Sequence, residues 1–511
     1  MPNLTPAREA LIAGLGVLVL HGLMRLSVAP GAFQDDAIYL ALGKALAQGE
    51  GWRSIYAAGA PVHLKYPPGL PGLYALMWLA GGSLARTLTL VGGFHLLIAG
   101  VCGGLVWWIA RVRLGLSALA ATVATLALAL VSVVDHWQLA IAEGPFVAAW
   151  LGALALAQAP LSTRRAVGLG LLLAATALLR TQGVAVVIGL FAAFVVTGRD
   201  RRLTLLAATV TLAPLLAWWG VHASLAAHGP GSTQPDEAGY LASLTDLSVG
   251  RLLPALLEGF RLNVAAYWRI IPREFGPAGP GHLLVLIGMA LVVLGAILGG
   301  RRLLPLGLSL GISLMLVLLW PFTQARFILA LVPVAGLLIA YGWSVLAGRL
   351  PPRGALLLAV SLVGVIAVRQ AELRRGAAVG FQPVGRTLAA NTAWLEAVAP
   401  WVEAHTPRDA RILTEGAAGL WLATGRVGVA ALPATPNYAV SRSDGTTDVA
   451  SRLLDDGVTV VIASSPPVYA GVVAMERRCP GTFRRGNPIG EIAAAFGVND
   501  STRACLATAD R

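Results

Sequence analysis

The sequence predicts a polytopic α-helical membrane protein with about eleven transmembrane helices and a small C-terminal α/β domain. Of its 511 residues, 57% are hydrophobic and only 12% are charged, which gives more apolar surface than one soluble core can bury. Apolar runs long enough to cross a hydrocarbon layer of ~30 Å recur up to residue 370, whereas the remaining sequence mixes charges, prolines and short apolar strands. We therefore predict a membrane domain over residues 1–370 and a soluble domain over residues 371–511.

Arginine clusters between the apolar runs predict the orientation of the spans. If each cluster lies on the cytoplasmic side, an even number of spans must separate consecutive clusters. The clusters are Arg111 with Arg113, Arg164 with Arg165, Arg199 with Arg201 and Arg202, Arg301 with Arg302, and Arg349 with Arg353. The condition is met by spans at 9–29, 88–110, 115–134, 145–158, 166–179, 183–197, 203–226, 281–299, 303–320, 327–347 and 354–370. An odd number of spans places the N-terminus in the cytoplasm and the soluble domain outside it.

The acidic residues give a second indication of sidedness. The predicted topology places nearly all of those in the membrane domain on the outer side, with Asp200 as the cytoplasmic exception: Asp35, Asp36, Glu50, Asp135, Glu143, Asp236, Glu237, Asp246, Glu258 and Glu274. This distribution predicts an active face outside the cytoplasm. The net charge of +13 does not indicate nucleic-acid binding, because the arginines lie in small clusters between apolar runs rather than along one face.

The first outward segment, residues 30–86, is longer than a connector needs to be, and long loops of this kind usually carry function. It contains the acidic pair Asp35 and Asp36. A carboxylate just outside a span can deprotonate an acceptor hydroxyl. Neighbouring side chains on a helix diverge by about 100°, so we expect only one of the pair to act as the base. The other holds a cation, orients the acceptor or caps a helix, and capping alone is the simplest alternative for the pair.

Lys65 precedes Pro67 and Pro68 in the same segment, and the prolines stiffen the backbone beside it. This position suits an ammonium group that binds a lipid phosphate. The alternative is a lysine that only extends towards lipid headgroups. We expect the apolar stretch 70–79 to lie along the membrane interface rather than to cross it.

Further charged residues fall in later outward turns. Glu143 precedes Pro145 at the start of a span and is either a helix cap or a second acidic group facing the site. Arg180 lies where two short apolar runs meet, and an arginine in such a place is usually functional or paired, for example with a phosphate. Arg326 is either a similar functional cation or part of a segment whose aromatic residues only anchor the span at the membrane interface. The outward loop 229–280 predicts an amphipathic surface helix or a flap over a lipid-linked substrate.

Taken in order, these residues resemble the GT-C membrane glycosyltransferases, particularly the lineage of protein O-mannosyltransferases and lipid A aminoarabinose transferases. The matching features are an acidic pair followed by a tyrosine (Asp35, Asp36, Tyr39), a lysine beside prolines (Lys65, Pro67, Pro68), an acid before a proline (Glu143, Pro145), a polar turn ending in glycine (Arg180 to Gly183) and an arginine opening a late span (Arg326). In this sequence Tyr66 intervenes between the lysine and the prolines, and Gly144 is inserted before Pro145.

The resemblance implies an inverting hexosyl or pentosyl transfer from a polyprenyl-phosphate sugar to a glycan, lipid or protein acceptor outside the cytoplasm, in the inner membrane of a bacterium. Asp35 is then the catalytic base, with Asp36 and Glu143 as further catalytic candidates. Lys65, Arg180 and Arg326 are candidates for binding the donor phosphate, and Tyr39, His63, Tyr66 and His136 are further site candidates. No cofactor is firmly implied, and a divalent metal held by Asp35 or Glu143 stays open.

Two other functions fit a polytopic chain. A transporter or flippase of a lipid-linked sugar is the main alternative, although such proteins tend to show internal repeats and ionisable groups at mid-membrane, which the sequence does not show. A structural subunit has no reason to gather acids and arginines on one face.

The C-terminal region predicts a helix over 387–405, a strand over 410–414, a helix over 416–424 and a buried strand over 458–464. Acceptor recognition and a structural cap are equally good roles for such a domain. Cys479 and Cys505 both fall in it, and they either form a disulfide in an oxidising compartment or stay as thiols. Cys102 lies in an apolar run and is expected to be an inert core residue.

Overall fold

A computed structural model describes the chain over residues 5–23, 30–130, 139–228, 249–275, 279–320, 325–348, 384–430, 457–484 and 488–499, and at positions 351, 353, 354, 357, 361, 364, 367, 368, 453 and 505. The helices of the membrane domain are α1 (Pro6–Leu23), α2 (Asp35–Ala47), α3 (Gly69–Gly81), α4 (Leu84–Trp108, continued as a π-helix over Ile109–Arg113), α5 (Ala118–Leu130), α6 (Glu143–Ala157), α7 (Thr163–Leu179), α8 (Gly183–Thr197), α9 (Arg201–His228), α10 (Val249–Phe275), α11 (Pro280–Gly299), α12 (Leu304–Leu319), α13 (Ala325–Leu329) and α14 (Val332–Ala347).

These helices coincide with most of the predicted spans. By length and composition, α1, α4, α9 and α11 are long and apolar enough to cross a membrane, and α3, α5, α6, α8, α12 and α14 are shorter apolar helices. One span differs from its prediction: the run 327–347 is interrupted, because α13 ends at Leu329 and α14 begins at Val332 with Pro333 in its first turn. Proline lacks the N–H that would continue a preceding helix.

Two predictions about the membrane domain concern segments that the structure describes only in part. The number of spans remains a prediction, since most of the last one, 354–370, lies outside the described residues. In the loop 229–280, α10 is an amphipathic helix with an exposed ion pair between Glu258 and Arg261, while 229–248, with Asp236, Glu237 and Asp246, lies outside the described part. Asp135, Trp137 and Arg349 are likewise outside it.

Small residues allow the membrane helices to approach closely. Helices α1 and α4 meet where a Cβ at Gly14 would lie 2.8 Å from the carbonyl oxygen of Gly100, and one at Gly103 would lie 2.5 Å from Val17. In lipid, where apolar side chains gain little by leaving their surroundings, such close backbone packing is a main source of helix association. Deeper in the bundle, the indole N–H of Trp150 on α6 donates to Ser309 Oγ on α12 at 3.2 Å.

The first outward segment is a compact layer rather than an open loop. Helices α2 and α3 pack so closely that a Cβ at Gly43 would lie 2.7 Å from Tyr74 Cβ. The indole of Trp78 on α3 donates to the Leu40 carbonyl at 2.9 Å, and the Tyr74 hydroxyl lies 2.7 Å from His95 Nε2 on α4. These buried contacts fix α2, and therefore Asp35 at its first position, relative to the spans.

The C-terminal region forms an α/β sandwich. It consists of α15 (Val384–His405), β1 (Arg411–Thr414), α16 (Ala417–Thr424), β2 (Val427–Ala430), β3 (Val460–Ala463), α17 (Pro466–Arg478), β4 (Phe483–Arg484), β5 (Pro488–Ile489) and β6 (Ala493–Val498). The strand order is β2-β1-β3-β6-β4, with β5 beside β6. Strand β1 is parallel to β2 and β3, whereas β6 is antiparallel to its partners. The four elements that the sequence predicts are found as α15, β1, α16 and β3, whereas β2, α17, β4, β5 and β6 were not predicted.

Apolar residues fill both faces of this sheet. On one face Ile412 and Ile462 pack against Val398 and Val402 of α15 and Leu420 of α16. On the other, Leu413 and Val461 of the sheet pack against Val468, Val472 and Met475 of α17, beside Cys479. Cys479 is disulfide-bonded to Cys505, which decides between the two states that the sequence left open. Cys102 is a buried free cysteine, as expected.

The C-terminal region, which the sequence predicts to be soluble, rests on the segment 30–86. Asn391 Nδ2 on α15 donates to the Pro30 carbonyl at 2.9 Å, and the backbone N–H of Gly428 on β2 donates to the Tyr56 carbonyl at 2.8 Å. Between them, Gln34 Nε2 donates to the Glu415 carbonyl at 2.9 Å. The chain on either side of α2 is therefore held by the soluble region as well as by the spans.

Candidate functional site

Asp35, the first residue of α2, lines a cavity that encloses about 520 Å³ of space open to the outside. The walls come from five parts of the chain: the start of α2, the segment after Lys65, the start of α6, the α7–α8 turn, and the junction of α12 with α13. The lining residues are Asp35, Tyr39, Tyr66, Pro67, Glu143, Arg180, Thr181, Gln182, Leu316, Val317, Trp320, Arg326 and Phe327. Size and composition suit a ligand that is partly apolar and partly charged.

The Asp35 carboxylate has two partners. The Tyr66 hydroxyl donates to Oδ1 at 2.5 Å, and Arg326 Nη2 donates to Oδ2 and forms an ion pair with it. Burial raises the pKa of Asp35, but the charges of Arg326 and Lys65 and the Tyr66 hydrogen bond outweigh it, and the pKa lies below its usual value of 3.8. Asp35 is therefore ionised at neutral pH. A carboxylate has about four lone-pair positions, so it retains acceptor capacity for a substrate proton.

A second carboxylate continues the network. Glu143, at the start of α6, pairs with Arg180 Nη1 at 2.5 Å, and its Oε1 lies 3.7 Å from Arg326 Nε. The exposed fractions of Arg180, Glu143, Arg326 and Asp35 are only 11%, 5%, 8% and 13%. Two carboxylates and two guanidinium groups thus neutralise one another in a shielded place. Removing one member would leave an uncompensated buried charge.

The α7–α8 turn positions Arg180. The turn is so tight that a Cβ at Gly183 would lie 2.3 Å from the Thr176 carbonyl oxygen, so only glycine fits there. A Cβ at Gly69, the first residue of α3, would lie 2.6 Å from the Leu178 carbonyl oxygen, which brings the first outward segment against the same turn. The Phe327 ring lies beneath both cations, with its centroid 4.8 Å from the Arg180 guanidinium and 5.5 Å from that of Arg326.

Lys65 lies beside the cavity and is not among the residues that line it. Its ammonium is 5.2 Å from the centroid of the Tyr66 ring, and its charge contributes to lowering the pKa of Asp35. The structure therefore brings the three predicted phosphate-binding cations into one neighbourhood, with Arg180 and Arg326 in the wall and Lys65 behind Tyr66.

Asp36 points away from Asp35. Its carboxylate accepts the backbone N–H groups of Gly31, Ala32 and Phe33 at 3.0, 3.2 and 3.2 Å, and it is not part of the cavity wall. Asp36 therefore fixes the loop that precedes α2, whereas the N-cap position of α2 is Gln34, which makes no side-chain capping bond. The physical reason for the difference between Asp35 and Asp36 is the rotation of about 100° between consecutive helical residues, which sends one carboxylate into the cavity and the other into the preceding loop.

The aromatic candidates form a stack behind Asp35. Tyr39 lines the cavity with its ring 4.6 Å from that of Tyr66, and His63 stacks on the other side of Tyr66 at 5.1 Å. Burial, with the Lys65 charge, lowers the pKa of His63 to about 3, so this side chain is neutral. Its Nδ1 lies 3.1 Å from Ser54 Oγ. His63 therefore supports Tyr66 without lining the cavity, while His136 lies outside the described residues.

Several wall residues were not singled out from the sequence. Phe327 and Trp320 flank Arg326, and Gln182 follows Arg180 and donates from Nε2 to the Phe327 carbonyl at 3.5 Å. Adjacency to the two arginines was the only available signal for them. The apolar wall from Leu316 and Val317 resembles any other membrane helix in sequence.

A divalent metal does not suit this arrangement. Within the part of the chain that the structure describes, no three His, Cys, Asp or Glu side chains are grouped so that they could hold an ion. Asp35 and Glu143, the two metal ligands considered from the sequence, are both occupied by guanidinium groups, and Arg326 lies between them. We therefore assign no step to a metal.

Comparison with solved structures identifies the fold. The chain superposes on ArnT from Cupriavidus metallidurans in the apo state with a TM-score of 0.56 at 14% identity, covering 96% of this chain and 98% of that chain. For the same protein bound to undecaprenyl phosphate the TM-score is 0.57 at 15% identity, with the same coverage. For the apo oligosaccharyltransferase of Archaeoglobus fulgidus it is 0.55 at 16% identity, covering 97% of this chain and 74% of that chain.

No protein-family model matches the sequence, and no curated protein matches it either. At 14 to 16% identity the structural likeness establishes the fold alone. The chain has the membrane fold shared by ArnT and the archaeal oligosaccharyltransferase, so the GT-C-like fold that the sequence predicts is confirmed.

Proposed function

We propose that this chain is a glycosyltransferase that moves a sugar from a polyprenyl-phosphate donor to an acceptor outside the cytoplasm, with inversion at the sugar carbon. The observation that carries the proposal is the ionised Asp35 beside two arginines in a shielded cavity of about 520 Å³. A similar fold in a protein bound to undecaprenyl phosphate supports the choice of donor. The apolar wall from Leu316, Val317 and Trp320 offers a surface for the polyprenyl chain.

In the proposed reaction Asp35 accepts the proton of the acceptor hydroxyl as its oxygen attacks the anomeric carbon. The new carbon–oxygen bond forms on the face opposite the departing phosphate, which gives inversion. Electrons of the broken bond go to the phosphate oxygen, and Arg180 and Arg326 stabilise the charge that develops there. Glu143 does not touch the reacting atoms in this scheme and instead orients both guanidinium groups.

The donor phosphate also changes the basicity of Asp35. Without donor, the ion pair with Arg326 holds the pKa of Asp35 low, which makes it a weak base. A phosphate that draws Arg326 towards itself weakens this pair, so the pKa of Asp35 rises when the donor is in place. Asp35 then becomes a stronger base only in the complex with the bound donor.

The location of the soluble region outside the cytoplasm is part of the proposal. The disulfide between Cys479 and Cys505 supports it, because disulfides persist in oxidising compartments and are rare in the cytosol. The N-terminus then lies in the cytoplasm of a bacterial cell, with an odd number of spans between the two. Labelling of engineered single cysteines with a membrane-impermeant reagent in intact cells tests this orientation.

The decisive experiment compares the cell-surface glycans of a strain lacking this protein with those of the same strain carrying the parent chain or Asp35→Asn. We expect one sugar to disappear in the deletion strain and to return only with the parent chain. Glu50→Gln, an exposed acid of the same segment, serves as the matched control and should restore the sugar. Restoration of the sugar by Asp35→Asn, at the protein level of the parent chain, would overturn the proposal. If the deletion strain instead failed to move a lipid-linked sugar across the membrane, with no glycosidic bond formed by this protein, the result would indicate a flippase.

A further inference from the structure

A second cavity lies between the first outward segment and the soluble region. It takes in about 360 Å³, part of which is open to solvent, and is lined by Gly31, Gln34, Ile38, Tyr56, Glu415, Gly416, Ala417, Ala418, Gly419 and Ala430. The wall is mostly backbone and small side chains, and Glu415 provides its acidic group. Close contacts define the rim, since a Cβ at Gly419 would lie 3.2 Å from the Pro30 carbonyl oxygen.

The position of this cavity in the sheet is a common one for ligands. Strand β1 pairs in parallel with β2 on one side and with β3 on the other. The chain therefore leaves β1 towards one edge of the sheet and later returns to add β3 on the opposite side of β1. Ligands of open α/β sheets bind outside the carboxyl ends of the strands at such a point. Thr414 and Glu415 stand at the carboxyl end of β1, Ser464 and Ser465 follow β3, and Ala430 ends β2.

Polar groups at this edge are buried without partners. Among the residues that the structure describes, none donates to either carboxylate oxygen of Glu415, which are shielded from solvent, and Thr414 Oγ1 and Ser465 Oγ, outside the cavity wall, are likewise without a partner there. Thr414 is completely buried. Burying a hydroxyl without a hydrogen bond destabilises the fold, and burying a carboxylate without one destabilises it more. Such groups accumulate where a ligand completes their hydrogen bonds.

The chemistry of the edge indicates the class of ligand. An ionised carboxylate only accepts hydrogen bonds, whereas serine and threonine hydroxyls donate and accept. Of these groups only Glu415 lines the second cavity, and a ligand that satisfies its two oxygens must donate hydrogen bonds, as the hydroxyl groups of a saccharide do. Trp394 lies beside Gly416, since a Cβ there would lie 3.0 Å from its ring, and its N–H donates to Ser464 Oγ at 2.6 Å, but neither Trp394 nor Ser464 lines the cavity.

The two cavities meet at one peptide bond. Gln34 lines the second cavity and Asp35 the first, and consecutive Cα atoms are about 3.8 Å apart. Gln34 has φ of 59° and ψ of −51° at the centre of a tight turn in which the Asp35 N–H donates to the Phe33 carbonyl, a conformation that a non-glycine residue adopts only at a cost. Its side chain donates to the Glu415 carbonyl at 2.9 Å. The backbone is thus held in an unfavourable conformation where it separates the proposed base from the unpaired carboxylate.

We infer that the second cavity is a saccharide-binding subsite for the acceptor, in which Glu415 accepts hydrogen bonds from sugar hydroxyls while the acceptor extends past Gln34 to Asp35. The acceptor part of this inference rests on the proposed function, whereas saccharide binding does not. An acceptor held there would be a glycan or a glycosylated lipid or protein.

Binding is tested first, on the purified full-length chain in detergent. Saturation-transfer NMR with glucose, galactose, mannose and N-acetylglucosamine should detect at least one neutral sugar, and Glu415→Gln should weaken its binding about 10-fold to 100-fold, as expected for hydrogen bonds to a charged group. Glu396→Gln, an exposed acid on α15, is the matched control and should bind as the parent does. Equal binding by Glu415→Gln, no binding by any neutral sugar, or binding of glucosamine alone would each overturn the inference.

Two further measurements separate this inference from the proposed reaction. Asp35→Asn should retain sugar binding, because Asp35 does not line the second cavity; retained binding with no transfer by the parent chain would sink the proposed function and leave the subsite standing. Where transfer is measurable, Glu415→Gln should raise the KM for the acceptor about 10-fold with little change in the KM for the donor. A change in kcat alone would contradict the subsite. An unchanged melting temperature shows that the variant is folded.

Discussion

The two cavities, one on each side of the Gln34–Asp35 peptide, hold carboxylates in opposite states. In the first, Asp35 is paired with Arg326 and Tyr66, and Glu143 is paired with Arg180. In the second, no residue in the described part of the chain forms a hydrogen bond with the Glu415 carboxylate. A ligand of the first cavity must therefore exchange partners with an existing network, whereas a ligand of the second supplies partners that are missing. The first arrangement suits a site where charge is redistributed during a reaction, and the second suits binding alone.

The largest expected effect is at Asp35. Replacing it by asparagine removes the proposed base and leaves its size unchanged, so transfer should fall by about 100-fold to 10,000-fold, the usual contribution of a general base. Transfer from a polyprenyl-phosphate sugar by purified protein measures this directly. Glu415→Gln should retain kcat in the same assay. Equal losses in kcat for both variants would erase the proposed difference between the cavities.

Arg326 should come next. Arg326→Gln removes a phosphate ligand and the main partner of Asp35, and we expect a loss of transfer of about 100-fold or more, since single electrostatic contacts to developing charge contribute that much. The pH dependence carries a separate signature. Arg326 holds the pKa of Asp35 low, so its removal raises that pKa. Activity needs ionised Asp35, so as the pH is lowered the variant should lose activity at a higher pH than the parent chain does. Arg269→Gln, an exposed arginine on α10, is the control and should leave the profile in place.

Tyr66→Phe tests the hydrogen bond to Asp35 with the ring stack retained. Its loss should reduce transfer by about 10-fold, which corresponds to one hydrogen bond to a charged group. Tyr66 also lowers the pKa of Asp35, so the acidic limb of kcat/KM should move in the same direction as for Arg326→Gln and by less, because the Arg326 charge has the larger influence. A shift towards lower pH would contradict the assigned contact.

The smallest effect is expected at Gln34, where the cavities meet. Gln34→Ala and Gln34→Gly both lose the hydrogen bond to the Glu415 carbonyl, but glycine tolerates a φ of 59° without the cost that alanine retains. Gln34→Gly should therefore lower the melting temperature by less than Gln34→Ala, a difference of about 1 kcal/mol or below. If alanine were the more stable of the two, the backbone here would not be under the proposed constraint.

Much of the site was accessible from the sequence because its residues have unusual local settings. Asp35, Glu143, Arg180 and Arg326 are charged residues at the ends of apolar runs, where a charge is costly unless it has a function or a partner. The structure places all four in the wall of one cavity. Asp36 has the same local setting as Asp35 and a different environment, and Lys65 lies beside the wall without forming part of it. Phe327 and Gln182 carried no comparable signal.

The sequence by itself determined where most of the apolar helices and four elements of the C-terminal region lie, because hydropathy and periodicity depend on near neighbours. Only the tertiary structure decided that Asp35 pairs with Arg326, 291 residues away, and that Gln34 bonds to Glu415, 381 residues away. Such pairs depend on how helices rotate and pack against one another. A rotation of about 100° per residue sends Asp35 into the cavity and Asp36 out of it, and no pattern in the sequence records that angle.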